Sequence, residues 1–147
     1  MMRMNSVCNR WPLAILAVAA CVPAFGQAAS SRFDGAWEVA IDCPSNTEES
    51  GAKGYRYRFP GIVANGVLTA SAGTDDSPGS LRIDGPIAAD GSAEFQARGR
   101  TGNPDFAVKH PSSGTRYTYR IKAQFDGEKG TGARIEARVC NFAFAKR

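Results

Sequence analysis

The chain has 147 residues and a formal net charge of +4, with 22% charged and 10% aromatic side chains. This length suits one domain with a modest hydrophobic core. The positive excess is far below that of proteins that live on nucleic acid, so we expect no nucleic-acid partner.

The start of the chain has the composition of a secretory signal peptide. Two arginines precede an apolar run from Leu13 to Val22, and small residues follow as far as Ala28. The run is too short to span a bilayer stably. We therefore predict a signal peptide over 1–28 and a single mature domain over 29–147, with no transmembrane segment in the mature form.

The cleavage site decides the expected localisation. Cutting after Ala28 would release a periplasmic or secreted protein, and we favour this site because apolar residues continue past Cys21. The residues that end at Cys21 also resemble a bacterial lipobox. A lipoprotein with its lipid anchor at Cys21 is therefore the alternative.

The mature chain is a succession of short segments in which apolar and polar side chains alternate. Such patterns, rich in aromatic and β-branched residues, predict half-buried strands rather than helices. We expect tight turns at Asn65–Gly66 and Asp90–Gly91, with positive φ at both central residues, and a break or bulge at Pro60–Gly61. The predicted strands cover 36–43, 54–63, 66–72, 80–88, 92–98, 116–125 and 131–145, with a possible short strand at 105–109.

Two cysteines belong to the predicted mature domain, Cys43 in the first strand and Cys140 in the last. In an oxidising compartment they would form one disulfide, which requires their Cα atoms to lie within about 7 Å. The fold must then bring the first and last strands together. A β-sandwich could do so, but we predict an all-β antiparallel up-and-down meander closed into a small barrel of about eight strands, since closure removes exposed sheet edges.

The last predicted strand changes its alternation phase. The small and apolar residues from Ala133 to Val139 are odd-numbered, whereas Cys140, Phe142 and Phe144 are even-numbered. If both sets face the interior, a β-bulge lies near Val139–Cys140.

Two resemblances accompany these patterns. The segments FDGAW (33–37) and VANGVLT (63–69) resemble the opening hairpins of avidin-like and calycin β-barrels. This resemblance implies an eight-stranded barrel but not biotin binding, because avidin-type pockets are walled by several tryptophans and the mature domain keeps only Trp37. The succession of YRYRFP, NGVL, PGSLRIDG, DGSA and GTGAR between the two cysteine strands also resembles small exported proteobacterial proteins of uncharacterised activity, which implies export and a shared fold.

Aromatic side chains dominate the predicted barrel interior, together with Ala70, Ala93, Ala97, Ala123 and Ala137. Small barrels either fill their interior or leave room for one small ligand. If a cavity exists, tyrosine hydroxyls beside apolar walls suit a small aromatic or amphipathic molecule. The irregular segment 99–115 would be its lid. The predicted ligand-binding residues are Trp37, Tyr55, Tyr57, Tyr117 and Tyr119.

Catalytic and metal sites have little support in the sequence. His110 is the only histidine and no nucleophile motif accompanies it, so we expect no catalytic residues. The carboxylates of Asp75 and Asp76 lack the spacing of a calcium loop, so we expect no metal and no cofactor.

Basic residues are predicted to share the outer face of the sheet, interrupted by Glu136. A solvated face is the favoured interpretation, and an acidic partner is the alternative. The predicted outer residues are Arg56, Arg58, Arg116, Arg120, Lys122, Arg134 and Arg138.

We therefore predict a non-enzymatic exported β-barrel that binds a small molecule in the barrel mouth. The alternative is a protein-binding module, such as an inhibitor of an envelope hydrolase, that acts through an exposed loop or the basic face. A cavity ringed by the tyrosines would favour the first function, and a packed barrel with a protruding loop would favour the second.

Overall fold

A computed structural model describes residues 29–46, 51–134 and 136–147. Its strands form a closed barrel of eight antiparallel strands, each paired with the next along the chain and the last paired with the first. The predicted up-and-down barrel is confirmed. The strands are β1 (Gly35–Cys43), β2 (Tyr55–Ala64), β3 (Val67–Ala72), β4 (Leu81–Pro86), β5 (Ser92–Arg100), β6 (Arg116–Asp126), β7 (Lys129–Arg134) and β8 (Asn141–Lys146).

The predicted signal peptide and the lipid-anchor alternative at Cys21 lie outside the described residues. Within the described ranges, no helix is long and apolar enough to cross a membrane. The only helical elements there are two 3₁₀ helices, Ser31–Phe33 and Pro104–Phe106.

One end of the barrel is closed by aromatic packing. The first 3₁₀ helix places Phe33 beneath the barrel, where its ring centroid lies 5.7 Å from that of Phe125. The ring of Phe125 also lies 5.3 Å from Trp37 and 4.9 Å from Phe144. The Trp37 Nε1 donates a hydrogen bond of 2.8 Å to the Phe33 carbonyl, so its polar atom has a buried partner. We call this region the closed end.

The predicted disulfide between Cys43 and Cys140 is confirmed, with a Cα–Cα distance of 4.2 Å. Asp42 pairs with Asn141 in the β1–β8 ladder, so the two cysteines occupy the next facing position. The bond lies at the end of the barrel opposite Trp37. It indicates an oxidising compartment outside the cytoplasm.

The prediction of one strand over 131–145 is wrong. β7 ends at Arg134, residues 136–140 lie outside the sheet, and β8 begins at Asn141. The phase changes because the chain leaves the sheet, not because of a β-bulge at Val139–Cys140. Ala137, predicted to be interior, is exposed with a φ of 66°, and Val139 is 67% exposed.

Three local predictions also need correction. The region 105–109 is not a strand, since Pro104–Phe106 forms the second 3₁₀ helix. β2 passes through Pro60 without a break in its pairing with β1, although its pairing with β3 begins only at Gly61. At Asp90–Gly91 only the glycine has positive φ, and the Asp90 carboxylate accepts hydrogen bonds from the Ser92 N–H and hydroxyl instead.

Candidate functional site

A cavity of about 500 Å³ occupies the barrel end that carries the disulfide, which we call the mouth. It is open because β2 and β3 diverge there. β3 pairs with Gly61–Ala64 of β2, which leaves the first half of β2 bordered by β1 alone. A volume of this size falls within the range of sites that hold small organic ligands.

The predicted tyrosines gather at this cavity, but the predicted tryptophan does not. Tyr55, Tyr57, Tyr117 and Tyr119 all line its wall. Trp37 is fully buried at the closed end and does not line the cavity. Four of the five predicted site residues are therefore brought together, and their role in binding stays a prediction.

The tyrosines of β6 form a flat aromatic wall. The rings of Tyr117 and Tyr119 are stacked with centroids 5.9 Å apart and planes inclined by 11°. The Tyr117 hydroxyl donates a 3.2 Å hydrogen bond to the Ser80 carbonyl. Burial raises the pKa of Tyr117 to about 12 and also raises the pKa of Tyr119 and of Tyr55. All three phenols are thus neutral hydroxyls at physiological pH.

Arg134 and Arg138 do not lie on the outer face, and that prediction is wrong. Arg134 pairs with Ile121 in the β6–β7 ladder, which places it on the inner face, and both arginines line the cavity. The Arg134 guanidinium carbon lies 4.2 Å from the centroid of the Tyr119 ring, within the range of a cation–π contact.

Arg138 fastens the loops around the mouth. It is only 4% exposed, and its guanidinium donates hydrogen bonds to the carbonyls of Pro44, Lys53 and Phe106. These carbonyls accept hydrogen bonds from its terminal N–H groups without neutralising its charge. Burial lowers the pKa of Arg138, and the nearby positive charge of Arg134 lowers it further.

The remaining predicted outer residues are exposed and several are paired with acids. Arg56 contacts Asp42 at 3.0 Å, and Arg120 contacts Glu136 at 2.7 Å. Glu136 also accepts a 2.8 Å hydrogen bond from the Arg120 backbone N–H, and these contacts lower the pKa of the Glu136 carboxyl. The solvated outer face is therefore a mixed-charge surface, which fits the favoured interpretation.

The segment predicted to be a lid lies across the mouth. Phe106 packs edge-on against Tyr55 with ring centroids 6.2 Å apart, and Thr101 and Val108 also line the cavity. Asp105 ties the segment to the β1–β2 loop through a 2.7 Å contact with the Lys53 ammonium group. Because this tie is exposed to solvent, it restrains the segment weakly.

His110 and Asp76, which were considered for catalysis and metal binding, have other partners. The Nδ1 atom of His110 lies 3.0 Å from the Pro104 carbonyl oxygen. Asp76 contacts Arg100 at 3.3 Å. Among the described residues, no group of three or more His, Cys, Asp or Glu side chains is placed to hold a metal ion.

The sequence did not predict that Arg134 faces the barrel interior, because the inner residues of β7 are not apolar. Its other inner residues are Gly130 and Gly132. A Cβ atom on Gly130 would lie 2.9 Å from the Phe125 ring, so glycine makes room for that ring. In KGTGAR (129–134), glycine, glycine and arginine occupy alternate positions. This pattern could have predicted that Arg134 faces the interior.

Comparisons with protein-family models, with curated proteins and with solved structures find no match to this chain.

Proposed function

We propose that this protein is a non-enzymatic binding protein that holds a small molecule in the mouth of its barrel. The observation that carries the proposal is the cavity of about 500 Å³, walled by the β6 tyrosines and covered by the segment from Thr101 to Pro111. The closed end is packed, so a ligand would enter only from the mouth. Flat aromatic rings beside apolar walls suit an amphipathic or aromatic molecule.

The protein would act in the periplasm or after secretion. The disulfide supports an oxidising compartment, and the N-terminal sequence supports export. A binding role without catalysis is supported by His110, whose ring contacts the backbone of its own loop rather than a nucleophile.

The test is a fluorescence titration with N-phenyl-1-naphthylamine, a neutral aromatic probe. Ala72 lines the cavity and is buried, whereas the preceding Ser71 is exposed on the outer face of β3. We expect saturable binding to the wild-type protein. Ala72→Phe should fill part of the cavity and weaken binding by about tenfold or more, whereas Ser71→Phe should leave it unchanged.

The two variants add the same ring to neighbouring positions, so they separate cavity binding from adhesion to the surface. Thermal unfolding of both variants shows that they are folded. A wild-type protein without saturable binding, or equal binding by both variants, contradicts the proposed function.

A further inference from the structure

The cavity at the mouth has an uneven distribution of charge. Four arginines line it: Arg56, Arg100, Arg134 and Arg138. No aspartate or glutamate among the described residues does so. Arg56 and Arg100 are neutralised from outside the cavity, by Asp42 at 3.0 Å and by Asp76 at 3.3 Å. Among the described residues, no carboxylate forms an ion pair with Arg134 or Arg138, although the positive charge of Arg134 lies near enough to Glu136 to help lower the pKa of the Glu136 carboxyl.

Arg134 has unused hydrogen-bonding capacity. A guanidinium offers five N–H donors, yet no described residue accepts a hydrogen bond from Arg134, and its Nε atom is buried without a partner. The neighbouring Glu136 directs its two carboxylate oxygens to Arg120. Burying a donor without an acceptor costs free energy, so an incoming acceptor would be favoured there.

Arg138 contributes charge and, apart from its Nε atom, no free donors. Its terminal N–H groups are used by loop carbonyls, and only its Nε atom has no partner. It lies close enough to Arg134 for the two charges to repel. Two like charges beside the same cavity create a field that favours a negative group between or beside them.

The aromatic wall fixes where the rest of a ligand would lie. Arg134 is held against the face of Tyr119, which is stacked on Tyr117. The half-buried Tyr117 ring and Arg134 line the same cavity. An aromatic or apolar body on this wall would bring its charged group to the guanidinium.

We infer that the ligand is an organic anion, with an aromatic or apolar body on the tyrosine wall and a compact oxyanion, such as a carboxylate or sulfonate, bound by Arg134. This inference rests on the proposed function and specifies its ligand class. The planar guanidinium can donate two parallel hydrogen bonds to such a group. Arg138 stabilises the same negative charge from the lid side of the mouth.

The test uses two probes that share one aromatic body. 8-Anilinonaphthalene-1-sulfonate carries a sulfonate, and N-phenyl-1-naphthylamine lacks it. We expect Arg134→Gln to weaken binding of the sulfonate probe by about tenfold or more and to change binding of the neutral probe by less than about twofold. Arg134→Lys, which keeps the charge but loses the planar fork, should fall between wild type and Arg134→Gln.

The matched control is Arg58→Gln, which removes one positive charge from the outer face of β2, where Arg58 contacts Glu38 at 3.1 Å. It should leave the affinity of both probes unchanged. If Arg134→Gln does not fold, Arg134→Lys should still weaken binding of the sulfonate probe more than binding of the neutral probe, by a smaller factor. Equal effects of Arg134→Gln on both probes, or no effect on either, overturn the inference while wild-type binding of the neutral probe upholds the proposed function. Absence of wild-type binding of the neutral probe instead overturns the proposed function itself.

Discussion

The two ends of this barrel are built from the same strands but differ in chemistry. At the closed end, Phe33, Trp37 and Phe144 surround Phe125, and the one polar side-chain atom of these four residues, the Trp37 Nε1, is hydrogen-bonded. At the mouth, tyrosines and arginines join apolar residues around open space. The closed end therefore stabilises the fold. The mouth holds polar groups, such as the Nε atoms of Arg134 and Arg138, that have no hydrogen-bond partner.

The difference is visible along a single strand. From mouth to closed end, the inner residues of β6 include Tyr117, Tyr119, Ile121 and Phe125. Phenylalanine and tyrosine fill similar volumes, but a tyrosine hydroxyl buried without a partner is unfavourable. On β6, the change from tyrosine at position 119 to isoleucine at position 121 therefore marks the boundary between the cavity and the packed core.

Removing the Cys43–Cys140 disulfide at the mouth should have the largest effect on the free energy of unfolding. The double variant Cys43→Ala and Cys140→Ala frees a loop with a sequence separation of 97 residues. Chain-entropy arguments predict that the free energy of unfolding falls by about 4–5 kcal/mol. Urea denaturation of the variant and the oxidised wild type measures this change. A decrease below about 1 kcal/mol would show that the seam between β1 and β8 is held by packing alone.

Truncating one ring at each end compares the two regions directly. Phe125→Ala should lower the free energy of unfolding by about 3–5 kcal/mol, because four aromatic neighbours, Phe33, Trp37, Phe95 and Phe144, lose their contacts. Tyr57→Ala should cost less than about 1 kcal/mol, since Tyr57 is 51% exposed. Equal losses, measured by chemical denaturation, would mean that the mouth is as tightly packed as the closed end.

Alkaline pH should weaken the mouth before the closed end. In the folded protein, burial raises the pKa of the Tyr117 phenol to about 12. An unfolded tyrosine has a pKa near 10. The contribution of Tyr117 to the free energy of unfolding is thus fully present below pH 10. It is lost as the pH rises through 12, and the free energy of unfolding falls by on the order of 1–2 kcal/mol. Denaturation at pH 9 and at pH 11.5 should show this loss in wild type and a smaller loss in Tyr117→Phe. A loss of the same size in the variant would assign the effect to other groups.

Most of the barrel could be predicted because its strands alternate with period two. The turn at Asn65–Gly66 has φ values of 52° and 73°, as its sequence requires. The cysteine pair then fixed which strands close the barrel. The error at β7 has a physical cause: its inner face is set by the space that Phe125 occupies, and that constraint is tertiary. The local alternation from Ala133 to Val139 predicted instead that the odd-numbered residues face the interior.

The candidate site was predictable only in part. Tyr55, Tyr57, Tyr117 and Tyr119 share the inner phase of two strands, so their convergence follows from closure of the barrel. Whether space exists between them depends on how far β3 diverges from β2, which no local pattern reports. Arg138 reaches the mouth from a loop outside the sheet, where alternation assigns no face.

The seam between β1 and β8 also has a kinetic meaning. The other seven strand pairs join neighbours in sequence, so each can form as a local hairpin. The seam alone must bring together segments from opposite ends of the domain, which costs loop-closure entropy before any contact stabilises it. A chain that unfolds with its disulfide intact keeps this contact, and its refolding is therefore spared the most non-local search in the barrel.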